Sequence, residues 1–128
     1  MNDMVQSIAR EITLRKNYLA GEKVETIYFG GGTPSLLSED QLNLLLETIK
    51  ENFEVDAEAE ITLESNPDDL SIELLQMLRS AGVNRLSIGI QSFRETDLLL
   101  MNRAHNAVQA LQCVSDAKSA GFENITID

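Results

Sequence analysis

Hydrophobic positions along the chain recur with two alternating periods. Val5, Ile8, Ile12 and Leu19 fall on one face at helical spacing, Asp3 stands where a cap belongs, and Gly21 follows as a stop. The apolar run containing Val24, Ile27 and Phe29 predicts a strand over Val24–Phe29. Ser38-Glu-Asp-Gln41 has the form of a capping box, in which the Ser38 hydroxyl accepts from the Gln41 backbone N–H and the Gln41 side chain reaches back. Leu42, Leu45, Ile49 and Phe53 follow at helical spacing, and burying each such side chain contributes roughly 1.5–3 kcal/mol before entropy is counted. Glu60–Glu64 reads as a second strand. Pro67 interrupts, Ser71 caps, and Leu74, Leu75, Leu78 and Ala81 form a stripe ended by Gly82. Arg85–Gln91 reads as a third strand and Thr96–Met101 as a short helix. Asn106 caps a last helix carrying Ala107, Ala110, Leu111, Val114 and Ala117 and ended by Gly121, and Asn124–Asp128 is a fourth strand.

A helix, three strand–helix units and a strand imply a parallel α/β sheet of four strands with right-handed crossovers. One strand–helix unit returns about every 30 residues, and no linker interrupts residues 1–128, so a single domain is expected. The strands divide by parity. Ile61, Leu63, Leu86, Ile88, Ile90, Ile125 and Ile127 share one parity; Thr62, Glu64, Ser87, Gly89, Gln91, Thr126 and Asp128 share the other. Side chains alternate faces along a strand, so each strand offers an apolar face to helices and a small, polar one. A doubly wound sheet would be apolar on both faces; a single polar face suggests the wet interior of a barrel. Because the chain opens on a helix with no preceding strand and closes on a strand with no following helix, it reads as an internal piece of a longer barrel.

Composition narrows the function classes. The net charge of −11 makes the phosphate attraction that drives nucleic-acid binding a repulsion, so no nucleic-acid partner and no anionic membrane surface is expected. Neither a membrane-spanning run nor a signal or transit peptide is legible, and a cytoplasmic location is expected. The one cysteine, Cys113, excludes an internal disulfide and a site built of several thiolates from this chain's residues. Its place beside the apolar stripe of the last helix suits a packed thiol.

Gly30, Gly31 and Gly32, followed by Thr33 and Pro34, break the first strand into a helix start. Three successive glycines are costly to order, which suits a plain tight turn or a place where backbone must touch a ligand. The run lacks the Gly-Lys-Ser/Thr of a phosphate loop and the spacing of the dinucleotide fingerprint. Ligands of parallel α/β proteins sit at the C-terminal strand ends. Those ends carry the glycines with Thr33, then Glu64, Gln91 and Asp128. Each of the last three could cap a helix or face solvent, but together they suit a polar, cationic small ligand: carboxylates for ammonium or hydroxyl groups, an amide to donate and accept, glycine N–H groups for a carboxylate. Arg103 could clamp a carboxylate or stand exposed, and His105, the one histidine, fits a solvated helix start. No Ser-His-Asp set or HExxH zinc motif occurs.

The stretches YFGGGTPSLLS, ITLESNPDDL, AGVNRLSIGIQSF, LLLMNRAHNA and AGFENITID resemble, in order, those of radical S-adenosylmethionine proteins of the oxygen-independent coproporphyrinogen III oxidase group, which includes related heme chaperones. The resemblance implies a partial (β/α)6 TIM-like barrel whose rim holds S-adenosylmethionine against a 4Fe–4S cluster. Gly31, Gly32 and Thr33 would contact the methionine moiety, and Glu64, Gln91, Arg103 and Asp128 would be further contacts. In that family the cluster cleaves S-adenosylmethionine to a radical, which in the oxidases starts decarboxylation of porphyrinogen propionates. The family's CxxxCxxC motif is not in this sequence; its place would be upstream, so the cluster ligands are expected outside this chain, which alone should hold no cluster and be inactive. Glu64-Ser-Asn-Pro67, Gln91-Ser-Phe93 and Arg103-Ala-His105 resemble the heme-chaperone branch more than the oxidases. Porphyrinogen or heme is then the expected partner of the whole protein.

Overall fold

The computed structural model describes residues 2–103 and 105–128. Among these residues five helices and four strands follow one another, alternating except where α5 follows α4: α1 (Asn2–Leu14), β1 (Val24–Phe29), α2 (Glu39–Asn52), β2 (Val55–Ser65), α3 (Ile72–Ala81), β3 (Arg85–Ile88), α4 (Glu95–Leu100), α5 (Ala107–Ser119) and β4 (Asn124–Ile127), with short 3-10 turns at Pro34–Leu36 and Pro67–Asp69. The strands are parallel and lie in the order β1-β2-β3-β4, as expected of strands joined by helical crossovers. The chain divides into two compact units, Met1–Ile27 with Leu37–Glu60, and Tyr28–Leu36 with Ile61–Asp128. Among the described residues no helix is long and apolar enough to cross a membrane.

In the first unit α1, with Val5 and Ala9 buried, packs on α2, whose own buried positions are Leu42, Leu45, Leu46 and Thr48. The capping box closes as expected: the Gln41 N–H donates to Ser38 Oγ at 3.2 Å and the Ser38 N–H to Gln41 Oε1 at 3.0 Å. The first helix differs from expectation. It ends at Leu14, with Asp3 inside its first turn rather than capping it. Beyond it the backbone tightens into three-residue turns, Tyr18 N–H to Arg15 C=O and Ala20 N–H to Asn17 C=O. Within α1 the buried positions are Val5 and Ala9 while Ile8 is exposed, and Ile8, Ile12, Tyr18, Leu19 and Phe53 line an open apolar groove. The second strand begins at Val55, not Glu60. Asp56, Glu58 and Glu60 are poor strand formers, but the Val24 N–H to Glu54 C=O bond and the Lys23–Asp56 ion pair mark its start.

In the second unit the register is continuous: Leu63 pairs with Leu86 and Leu86 with Ile125, while Glu64 pairs with Ser87 and Ser87 with Thr126. Parity is thus preserved across three strands. Thr62, Arg85 and Asn124 join Glu64, Ser87 and Thr126 on the polar face; Leu63, Leu86 and Ile88 are fully buried on the other. α3 is capped by Ser71, buries Leu75 and Leu78, and ends on Gly82 at φ 109°. α5 packs on α3 and buries Ala110, Cys113 and Ala117. Leu111, expected on that stripe, is exposed, because the buried positions run i, i+3, i+7 through Cys113 instead. Asn106 and Gln109 close a second capping box. The third strand is shorter than expected and stops at Ile88: the Ile90 N–H folds back to the Ile88 carbonyl at 2.9 Å, and Gln91 takes a left-handed φ of 68°.

Candidate functional site

The second unit gathers most of the candidate residues at the C-terminal ends of its strands. β1 ends at Phe29, and the chain turns through Gly31 and Gly32, both left-handed at φ 76° and 60°. Among the described residues, chain neighbours aside, nothing lies within 4 Å of where a Cβ would stand on either, so backbone conformation alone calls for glycine there. Gly30 is required for space. A Cβ on it would stand 2.6 Å from the Tyr28 ring and 3.1 Å from the Glu64 carboxyl carbon.

That space is occupied by a tie between strands. Glu64 accepts from the Tyr28 hydroxyl at 2.5 Å on Oε1 and from the Gly31 N–H at 3.0 Å on Oε2. The two bonds, the phenol's first, hold the Glu64 carboxyl below its ordinary range, so it is ionised at neutral pH; the same bond raises the Tyr28 phenol. Each carboxylate oxygen keeps a further lone pair for a ligand. Next to this pair lies a polar cavity of about 150 Å³ lined by Gly32, Thr33, Pro34, Glu64, Ser65, Asn66, Ser87, Gly89 and Asp128. Ser65 Oγ is buried with no partner among the described residues. Ser35 Oγ donates to Asp69 at 3.0 Å, tying the glycine turn's exit to the turn after β2.

Of the residues singled out in the sequence, Gly32, Thr33, Glu64 and Asp128 line the cavity, and Gly31 orients Glu64. Gln91 and Arg103 do not line it. Gln91 lies past the strand end, not on its polar parity as expected, and its N–H donates to the Asp128 carbonyl. Arg103 donates through Nη2 to the Gly89 carbonyl at 2.5 Å and to Asn66 Oδ1 at 3.3 Å. It is therefore neither exposed nor free, and its Nε is buried without a partner among the described residues. His105 is buried, 3% exposed, where a solvated position was expected.

Two contributors escaped the sequence reading, and so did a cross-strand tie outside the cavity lining. Tyr28 shares the side of β1 opposite buried Ile27, and its place just before the glycines was the available signal. Asn66 follows Glu64 by two residues, a spacing that keeps it at the same strand end. Arg85 has no such signal: its guanidinium crosses the polar face to Thr62 Oγ1, at 3.3 Å, and to Thr126 Oγ1.

Residues 5–128 match the Radical SAM superfamily. The heme chaperone HemW of Lactococcus lactis is 49% identical over 107 residues, 84% of this chain and 28% of that protein. Oxygen-independent coproporphyrinogen III oxidase of Escherichia coli is 34% identical over 124 residues, 97% of this chain and 27% of that protein. The solved structure of coproporphyrinogen III oxidase (HemN) from Escherichia coli superposes with a TM-score of 0.86 at 33% identity, over 99% of this chain and 29% of that one. The chain thus spans under a third of the length of these relatives.

Proposed function

The chain belongs to the Radical SAM superfamily, and from that premise we propose that the rim of its second unit holds S-adenosylmethionine in a protein of heme or porphyrin metabolism. The observation that carries this reading is Glu64: an ionised carboxylate held by Tyr28 and Gly31 at the mouth of a polar cavity. The lining fits the ligand's chemistry. Glu64 and Asp128 suit its positive charges and ribose hydroxyls, and the hydroxyls of Thr33 and Ser87 can donate or accept. Gly32 lets backbone approach closely. When bound beside an iron–sulfur cluster, S-adenosylmethionine supplies radical chemistry; this chain's residues bind and orient it.

The cluster itself does not fit here. Thiolates are its usual ligands. Cys113 is the one cysteine; it packs in α5, and burial pushes its thiol up to about 11. No step is assigned to it.

Within the family we favour the heme-chaperone branch, because the identity to HemW of Lactococcus lactis exceeds that to the oxidase. Heme, rather than a porphyrinogen to be decarboxylated, is then the molecule the whole protein handles. Binding of heme without turnover of coproporphyrinogen III supports this branch, and turnover would reverse the choice.

The site itself is tested by Glu64→Gln in the full-length protein. Loss of one charge-assisted hydrogen bond, about 1.5–3 kcal/mol, should weaken S-adenosylmethionine binding more than tenfold in a calorimetric titration. Unchanged affinity with a lowered melting temperature would make Glu64 a structural group.

A further inference from the structure

Three consecutive peptide units past β3 are held at both ends. The unit joining Ile88 to Gly89 has its carbonyl on the Asp128 N–H at 3.1 Å and its N–H on the Ser65 carbonyl at 2.9 Å. The unit joining Gly89 to Ile90 has its carbonyl on Arg103 and its N–H on the Ile88 carbonyl. The unit joining Ile90 to Gln91 has its N–H on the Asp128 carbonyl, and its own carbonyl lies 2.8 Å from His105 Nε2. A peptide unit is planar, so fixing both its ends fixes the two torsions beside it, ψ of Ile90 and φ of Gln91. That φ is 68°, a region L residues with long side chains avoid.

A carbonyl only accepts, so His105 carries its proton on Nε2. Nδ1 is buried with no partner among the described residues. An apolar ring would fill the same space without that orphan. What an imidazole adds over a packed hydrophobe at this position is the single bond to Ile90.

We propose that His105 is a positioning residue of the rim: its Nε2–H holds the Ile90 carbonyl, keeps Gln91 in the left-handed turn, and so, through the Gln91 N–H on the Asp128 carbonyl, sets where Asp128 stands in the cavity lining. The assignment rests on the S-adenosylmethionine reading above. It predicts which replacement works. Glutamine carries an N–H at the same distance from the backbone as Nε2; leucine fills space without one.

The test compares His105→Leu with His105→Gln in the full-length protein by amide hydrogen exchange at Gln91 and by calorimetric titration with S-adenosylmethionine. His105→Leu should speed exchange and weaken binding about three- to tenfold, the worth of one neutral hydrogen bond, whereas His105→Gln should stay within about twofold of the parent on both. If His105→Leu does not fold, His105→Phe, a ring without a donor, takes its place with the same expectation. Parent-like exchange in the donor-less variant overturns the proposal. So does equal loss in the glutamine and donor-less variants, which would make the ring mere packing. A parent protein that does not bind S-adenosylmethionine, or a Glu64→Gln variant that binds as well as the parent, defeats the site reading; exchange at Gln91 needs no ligand and still decides the role of His105.

Discussion

Two turns contribute to the same cavity in the second unit, Gly32 from one and Gly89 from the other, and they reach left-handed backbone by opposite routes. At Gly31 and Gly32 the conformation is local: each residue lacks a Cβ, and, chain neighbours aside, nothing among the described residues stands where one would be. At Gln91 a residue unsuited to φ 68° is held there by Asp128, with His105 on the preceding carbonyl. The first turn is permitted by its own residues. The second is imposed by residues far along the chain, and it should fail when its partners do.

The sharpest way to break this contrast is to reverse the chemistry of each turn. Gly31→Ala places a Cβ in left-handed backbone and should cost about 1–2 kcal/mol, read as a lower denaturant midpoint with an unchanged slope. Gln91→Gly should move the other way and by less. Relief of about 1–2 kcal/mol is offset by roughly 0.5–1 kcal/mol of added freedom in the unfolded chain. Two changes of the same sign would show that both turns are held in the same manner.

The smallest effect sharpens the contrast on the glycine side. The Tyr28–Glu64 tie depends on a neutral phenol and an ionised carboxylate. Glu64 is lowered in the fold, so its contribution is present above its unfolded value and lost as pH falls through its folded one. Tyr28 is raised, so its contribution is full below its unfolded value and lost as pH rises through its folded one. The stability difference between the parent and Tyr28→Phe should therefore be constant near neutrality and shrink toward both acid and alkali. A difference independent of pH would mean the hydroxyl contributes nothing through Glu64.

What could be read in advance follows the same division. The Ser38–Gln41 box, the Ser71 cap and the stop at Gly82 involve residues within a few positions of one another, and all three are present. The parity of β2, β3 and β4 was legible because alternation is a property of each strand alone, and the register preserves it. Projecting that parity through Gly89 to Gln91 failed, because β3 ends where Arg103, His105 and Asp128 capture the backbone. Nothing within residues 85–91 announces those partners. The early part of β2 was hidden for another reason: its acidic alternation resembles a solvated loop until Val24 is seen to bond at Glu54. Glu64 was legible as a rim carboxylate, but the hydroxyl that orients it belongs to a strand 36 residues earlier.

Cys113 gives the molecule a clock. Its Sγ donates to the Ala110 carbonyl at 3.1 Å and is almost wholly covered, and burial pushes the thiol up to about 11, which disfavours the reactive thiolate. A sulfhydryl reagent must therefore wait for α5 to part from its neighbours. Labelling of this single sulfur then times the breathing of one helix, and a ligand seated at the strand ends would be heard there as a slower beat.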